Sequence, residues 1–145
     1  MSIKQSGAVS HGSEPEDVLV YIGHVTAQGY PAAKLALSRC DNGHDELHLS
    51  VDAEHGCAQW RCPACATSRH VADSADVWDD ASPQLIACPE CSEAKHNVGV
   101  GFSLRDDGEV KWVTVGHRCT NCGLLGSSAD WKVDYSPSVH IMDSV

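Results

Sequence analysis

Cysteine and histidine carry the reactive chemistry of this chain, and their spacing is regular. Six of the eight cysteines form pairs with a two-residue gap: Cys62-Pro63-Ala64-Cys65, Cys88-Pro89-Glu90-Cys91 and Cys119-Thr120-Asn121-Cys122. A seventh begins the segment Cys40-Asp41-Asn42-Gly43-His44. A gap of two residues lets the backbone turn as a tight knuckle whose N–H groups point at the sulfurs, so that both thiolates reach one tetrahedral ion. Four such half-sites make two metal centres, one from Cys40, His44, Cys62 and Cys65, the other from Cys88, Cys91, Cys119 and Cys122. Cys57 and His70 offer a competing set with Cys62 and Cys65. The repeat described below favours Cys40 and His44, leaving Cys57 as a small strand residue with a free thiol.

The elements needed to position these ligands are legible as hairpins. Leu47, Leu49 and Val51 alternate with polar residues, Asp52 to Gly56 reads as a turn, and Cys57 to Arg61 returns to the second knuckle. Val98, Val100, Phe102 and Leu104 then alternate in the same way. Asp106-Asp107-Gly108 makes a turn, and Val110 and Trp112 lead back to Arg118-Cys119. Lys34 to Arg39 leads into the first half-site as Gln84 to Ala87 leads into the third, so the chain reads as two copies of one unit. Past the second knuckle, Ser74-Ala75-Asp76 with Trp78 parallels Ser128-Ala129-Asp130 with Trp131. Trp131, Val133 and Tyr135 alternate as a third strand.

Ahead of these copies, residues 1–12 read as a polar tail. Ser13 to Glu16 has the pattern of a capping box, with Pro15 in the first turn. Val18, Tyr21, Ile22 and Val25 follow at helical spacing, and Gly29 before Pro31 ends the helix. The expected order is a tail and helix (1–33), a first unit with three cysteine ligands and one histidine (34–72), an acidic linker (73–83), a second unit with four cysteine ligands (84–136) and a C-terminal tail (137–145).

With Cys88-Pro89-Glu90-Cys91 and Cys119-Thr120-Asn121-Cys122-Gly123 in place, the second copy resembles the zinc-ribbon superfamily, including its rubredoxin-like members. The first copy resembles the three-cysteine, one-histidine variant of that superfamily through Cys40, Gly43, His44, Cys62, Pro63 and Cys65. The resemblance implies a mostly β fold of two tandem zinc ribbons with a short N-terminal helix. It also implies two Zn2+ ions in closed structural sites, each worth on the order of 10 kcal/mol to a small fold. Iron in the four-cysteine cage would instead make a redox centre.

Composition narrows the function. Aromatic residues are 6% of the 145 residues and phenylalanine appears once, a thin payload for a single core, so metal is expected to supply what the core lacks. A disulfide scaffold is the competing use of eight cysteines, but residues 1–17 are polar and acidic. The apolar run Val18 to Ile22 is too short for a signal sequence or membrane span. The expected setting is therefore reducing, cytoplasmic or within a virion, without a membrane. Net charge is −10, and two ions bound by seven thiolates would bring it to about −13. Such a chain repels duplex nucleic acid, and Arg39, Arg61 and Arg118, each beside a knuckle cysteine, are placed to offset the metal–thiolate clusters.

A protein partner is expected instead, with Trp78 among Asp76, Asp79 and Asp80 as its anchor. An alphabet rich in Ala, Asp, Val and Gly and poor in Lys and Phe suits a GC-rich bacterium or its phage. The expected role is a non-catalytic structural or interaction module in a larger assembly, and the alternative is a nucleic-acid-associated or transcription-regulating ribbon protein. A third reading takes His44-Asp45-Glu46 with Cys62 and Cys65 as similar to the zinc deaminases, which use His-x-Glu and Pro-Cys-x-x-Cys. Here the proline follows the cysteine, and the spacer is a single hairpin with no room for a base pocket.

Overall fold

The computed structural model describes residues 3–6 and 9–145. The mostly β fold is present: a ten-stranded sheet with the order β1-β2-β10-β9-β8-β4-β5-β6, to which β3 adds on β8 and β7 on β4. The strands are β1 (Lys4–Ser6), β2 (Val9–His11), β3 (Lys34–Leu37), β4 (Leu47–Asp52), β5 (Cys57–Arg61), β6 (Ser68–His70), β7 (Gln84–Leu85), β8 (Lys95–Leu104), β9 (Val110–Cys119) and β10 (Leu124–Lys132). One α-helix, α1, spans Asp17–Thr26.

Both hairpins form where the alternation placed them. In β4 the buried side is Leu47, Leu49 and Val51. The β4–β5 turn closes through Gly56 N–H to the Asp52 carbonyl at 2.9 Å. The Asp52 carboxylate accepts the N–H groups of Glu54 and His55 and that of Ser82 from the distant loop. In the β8–β9 turn Gly108 takes a φ of 86°, which a side chain would strain.

The two units do not stand apart. Leu37, followed by Ser38-Arg39-Cys40, pairs with Gly99 of β8. Leu85, followed by Ile86-Ala87-Cys88, pairs with Ser50 of β4. These are matching places, because Asn97 faces Arg118 in one hairpin and His48 faces Arg61 in the other. Each lead strand therefore adds to the other unit's hairpin. The bonds just beyond repeat the relation: Ser38 N–H donates to the Val98 carbonyl and Ile86 N–H to the Leu49 carbonyl, both at 2.8 Å. At the seam, β4 meets β8 with Leu47 opposite His96.

One core results. Leu49 and Trp60 from the first unit pack in the same cluster as Val98, Phe102 and Val113 from the second. A thin aromatic supply explains the pooling, since neither hairpin alone can bury enough apolar area. The other face of β8 and β9 is kept small by Gly99, Gly101 and Gly116, and α1 lies against it. A Cβ at Gly116 would sit 2.8 Å from Ile22 Cγ1, and one at Gly99 2.8 Å from Val18 Cγ1.

Several details depart from expectation. The helix starts at Asp17 with no side-chain cap from the preceding residue, because the approach is wound as 3₁₀ bonds from Asp17 to Glu14 and from Val18 to Pro15. The Asp17 carboxylate, not Ser13, does the local capping by accepting the N–H groups of Ser13 and Glu14. Part of the segment read as a tail pairs as β1 and β2 alongside β10, while residues 1, 2, 7 and 8 lie outside the described set. Ser74–Asp76 is a 3₁₀ turn, whereas Ser128-Ala129-Asp130 lies in β10, so that parallel is not structural. The two stretches diverge because β6 ends at His70 and the chain turns at Ala72 with a φ of 54°, while β10 absorbs a bulge between Ser127 and Ala129 and continues.

The linker and C-terminus are docked. Asp73 accepts bonds from Trp131 Nε1 at 2.9 Å and the Tyr135 hydroxyl at 2.7 Å. Ile141 reaches the core at 3% exposure. The Glu109 carboxylate holds its turn by accepting Ser138 N–H, Ser138 hydroxyl and Val139 N–H.

Two outcomes follow. Gly116→Val should overpack the α1 contact and lower unfolding free energy by about 1–3 kcal/mol, read by denaturant titration; an unchanged midpoint would refute direct seating of Ile22 on the sheet. The Ser138 N–H and hydroxyl, followed by the Val139 N–H, hold Glu109 below its ordinary carboxylate range. Its contribution is therefore complete above the unfolded value near 4.5 and is lost as pH falls below it. Glu109→Gln should lower Tm at pH 7, and the gap from wild type should close as pH drops through that range. A gap independent of pH would contradict the assignment.

Candidate metal centres

Each half-site is a reversal at the end of a strand. Ala66 N–H donates to the Cys62 carbonyl, Ser92 to Cys88, Gly123 to Cys119 and Gly43 to Cys40, all at 2.8–2.9 Å. The closing residues Ala66, Ser92 and Gly123 take φ of 62°, 67° and 84°, and Gly43 takes 84° just before His44. Left-handed backbone costs a non-glycine residue roughly 1–2 kcal/mol, so Ala66 and Ser92 are held there by what the knuckles surround. Gly123 fits the expectation of a glycine just after the last cysteine.

The structure brings the eight ligand candidates into two groups, Cys40/His44/Cys62/Cys65 and Cys88/Cys91/Cys119/Cys122, with all ligand atoms in each within 4.8 Å of one another. In the first, His44 Nδ1 lies 3.2 Å from Cys40 Sγ and 3.7 Å from Cys62 Sγ. In the second, Cys88 and Cys122 sulfurs are 3.5 Å apart and those of Cys91 and Cys119 are 3.4 Å apart. The edges of a tetrahedron with Zn–S near 2.3 Å are about 3.8 Å, and S–N edges are about 3.5 Å. The observed spacings sit near those edges and far beyond the roughly 2.05 Å of an S–S bond; all eight cysteines are free. The donor sets thus fit a zinc-type ion, with Nδ1 of His44 as the nitrogen ligand.

Cys57 and His70 are not part of either group. Cys57 opens β5 opposite Asp52, and five residues of strand put it about 16 Å from Cys62. It is fully buried, and burial raises its thiol, so it is a core residue. His70 lies on the edge strand β6 with its ring edge-on to Trp78 at 5.1 Å. That contact leaves Trp78 half-buried in the turn Trp78–Asp80, with Asp76, Asp79 and Asp80 exposed around it.

The ligand environments are unequal. Cys65 is lowered to about 6, first by the Thr67 hydroxyl and then by Thr67 N–H. Cys91 is likewise lowered to about 6, first by the Asn121 side chain and then by Glu93 N–H. Burial pushes up Cys62 and Cys119 and takes Cys122 to about 12. Cys65 and Cys91 are thus the thiols whose surroundings favour the thiolate, the form that binds a metal.

Two of the three arginines beside the knuckles have side-chain partners. Arg118 spends its guanidinium on the Gly12 carbonyl (2.8 Å) and the Asn97 side-chain oxygen (2.9 Å), so it ties the N-terminal strand to the hairpin. Arg39 meets Glu16 at 3.7 Å in an exposed pair.

His96 and His117 belong to neither ligand group. They stand edge-to-face at 5.1 Å, and His96 is 1% exposed. Burial lowers His96 and takes His117 to about 4. Both are neutral packing groups beside the four-cysteine centre, with His117 Nε2 bonded to the Ser128 hydroxyl. Their strand positions were readable, but their burial depends on β4 closing over β8. A cleft of about 440 Å³ lies beside the first centre, lined by Gly43 to Glu46, Pro63, Ala64 and, from the other unit, Lys95.

Together the fold and the ligand groups define a mostly β chain with two candidate metal centres, loosely consistent with zinc ribbons. No family model, curated protein or solved structure matches the chain.

The ligand assignment is testable by substitution. Cys40→Ser should lose one of two zinc ions and increase hydrogen exchange near residues 34–72, while Cys57→Ser should keep both ions. The reverse pattern would move the first centre to Cys57 and His70.

Proposed function

We propose that this protein is a non-catalytic zinc-binding module that displays a rigid acidic surface to a protein partner, as an accessory component of a larger bacterial or phage assembly. The observation that carries the reading is the pair of four-ligand groups. Four protein donors complete a tetrahedron, so neither ion keeps an open position for substrate or water, which is the coordination of a structural zinc site and not of a hydrolase or deaminase. Cys40 supplies a fourth donor beside His44, Cys62 and Cys65, so Glu46 has no metal-bound water to activate.

The charge supports a protein partner. At −10 the chain opposes a phosphate backbone. Of the cations that a nucleic-acid face would need, Arg105 already bonds the carbonyls of Val133 and Tyr135. The turn around Trp78 offers a partly covered aromatic ring inside an acidic rim, suited to a basic or apolar contact. No helix among the described residues is long and apolar enough to cross a membrane.

Native mass spectrometry of the purified chain should show two zinc ions. A mass lower than the apo chain by eight hydrogens would mean four disulfides and would overturn the reading. Duplex DNA should show no measurable binding at physiological salt; submicromolar affinity falling steeply with salt would favour a nucleic-acid role instead.

A further inference from the structure

The second centre has neighbours that the first lacks. His11, the last residue of β2, pairs with Leu124 in β10, just past the knuckle that carries Cys122. Gly12 N–H donates to the Gly123 carbonyl at 2.8 Å, and the Gly12 carbonyl accepts from Arg118. These bonds fasten the strand end against the knuckle. His11 Nε2 thereby lies 2.8 Å from Glu90 Oε1. Glu90 belongs to the facing knuckle, and its Oε1 is 3.9 Å from Cys122 Sγ. The imidazole, carboxylate and thiolate donor atoms all fall within 4.8 Å of one another.

We propose that His11, Glu90 and Cys122 form a third zinc site, with the Cys122 thiolate bridging to the ion of the four-cysteine centre. The inference rests on zinc occupying that centre. Cys122 is partly exposed where Cys88 and Cys119 are buried, so its sulfur keeps a side open toward His11 and Glu90. A nitrogen, oxygen and sulfur set is borderline in softness, which suits Zn2+ over Ca2+ or Mg2+. Tetrahedral edges with these donors are about 3.3–3.6 Å. The His11–Glu90 distance need open by only about half an ångström, and Glu90 need approach Cys122 by less, which side-chain rotation supplies.

Electrostatics act in the same direction. A four-cysteine centre with one divalent ion carries two negative charges, and Glu90 adds a third. A second dication between them lowers that excess from three negative charges to one. The His11–Glu90 pair alone does not account for the arrangement. An exposed ion pair contributes about 0–1 kcal/mol and has no need of a thiolate beside it. Among the described residues, no comparable third group adjoins Cys40, His44, Cys62 or Cys65. Three protein donors leave the fourth position to water, so this ion is exchangeable where the other two are enclosed.

The test uses the full chain loaded with two zinc ions and titrated with buffered free Zn2+, with bound ions counted by native mass spectrometry. Wild type should take up a third ion, and His11→Ala and Glu90→Gln should each weaken that step more than tenfold while retaining two. Co2+ added to the two-zinc protein should give thiolate-to-cobalt charge-transfer absorption that His11→Ala removes. Saturation of wild type at two ions, or a third ion bound equally by both variants, overturns the third site and leaves the two-centre reading standing. Fewer than two ions in wild type overturns both.

Discussion

Four sulfurs held at contact distance are a constraint that the polypeptide cannot satisfy alone. Two like charges about 4 Å apart repel by roughly 4 kcal/mol at an effective dielectric near 20. The thiolates of the second group stand closer than that, at 3.4 and 3.5 Å for two of their pairs. The chain can keep protons on most of them or accept a cation. Only the cation also rewards the left-handed turns at Ala66 and Ser92 and the ordering of four knuckles. The strands inherit their ends from this. Cys62 follows directly on β5 and Cys119 closes β9, so fixing the sulfurs fixes where each hairpin stops.

The exchange of lead strands follows from the same shortage of core. A hairpin of two strands is marginal on its own. Here each, besides β10 on β9 or β6 on β5, receives a strand from the opposite unit, β3 on β8 and β7 on β4. The metal groups sit at the ends of the exchanged strands, since β3 runs into Cys40 and β7 into Cys88. Backbone hydrogen bonds of β3 and β7 therefore tie each ligand group to the other unit's hairpin without a shared ligand. α1 covers the remaining small-residue face, and Thr26, whose hydroxyl donates to the Ile22 carbonyl and accepts Ala32 N–H, joins its end to the approach of β3.

Local chemistry was readable in the sequence and long-range pairing was not. Two-residue gaps and β alternation act over a few residues, so the knuckles, β4, β5 and both turns are found where the pattern puts them. The exchange of β3 and β7 is invisible to periodicity, because a lead strand reads the same whichever hairpin it joins. The alternating run Val98 to Leu104 marked one buried face of β8, but Gly99 and Gly101 carry no hydrophobic signal on the other. Only the helix at 2.7–2.8 Å from their missing Cβ atoms explains them. The acidic linker failed for a related reason: it reads as a connector, yet Asp73 satisfies donors distant in sequence.

The inequality of the two centres bears on what each can do. In the first, His44 is the exposed ligand, and one imidazole in place of a thiolate leaves the occupied centre with one negative charge instead of two. Thr67 and the Arg69–Asp41 pair lie nearby and add no net charge to it. In the second, the greater charge falls next to Glu90, and the arginine beside the knuckle is committed to Gly12 and Asn97. That charge falls at the knuckle where β2 delivers His11 beside Glu90. An enclosed ion that sets the fold and a more exposed sulfur that still attracts cations can occupy one knuckle, because tetrahedral coordination uses only one of the lone pairs on each thiolate.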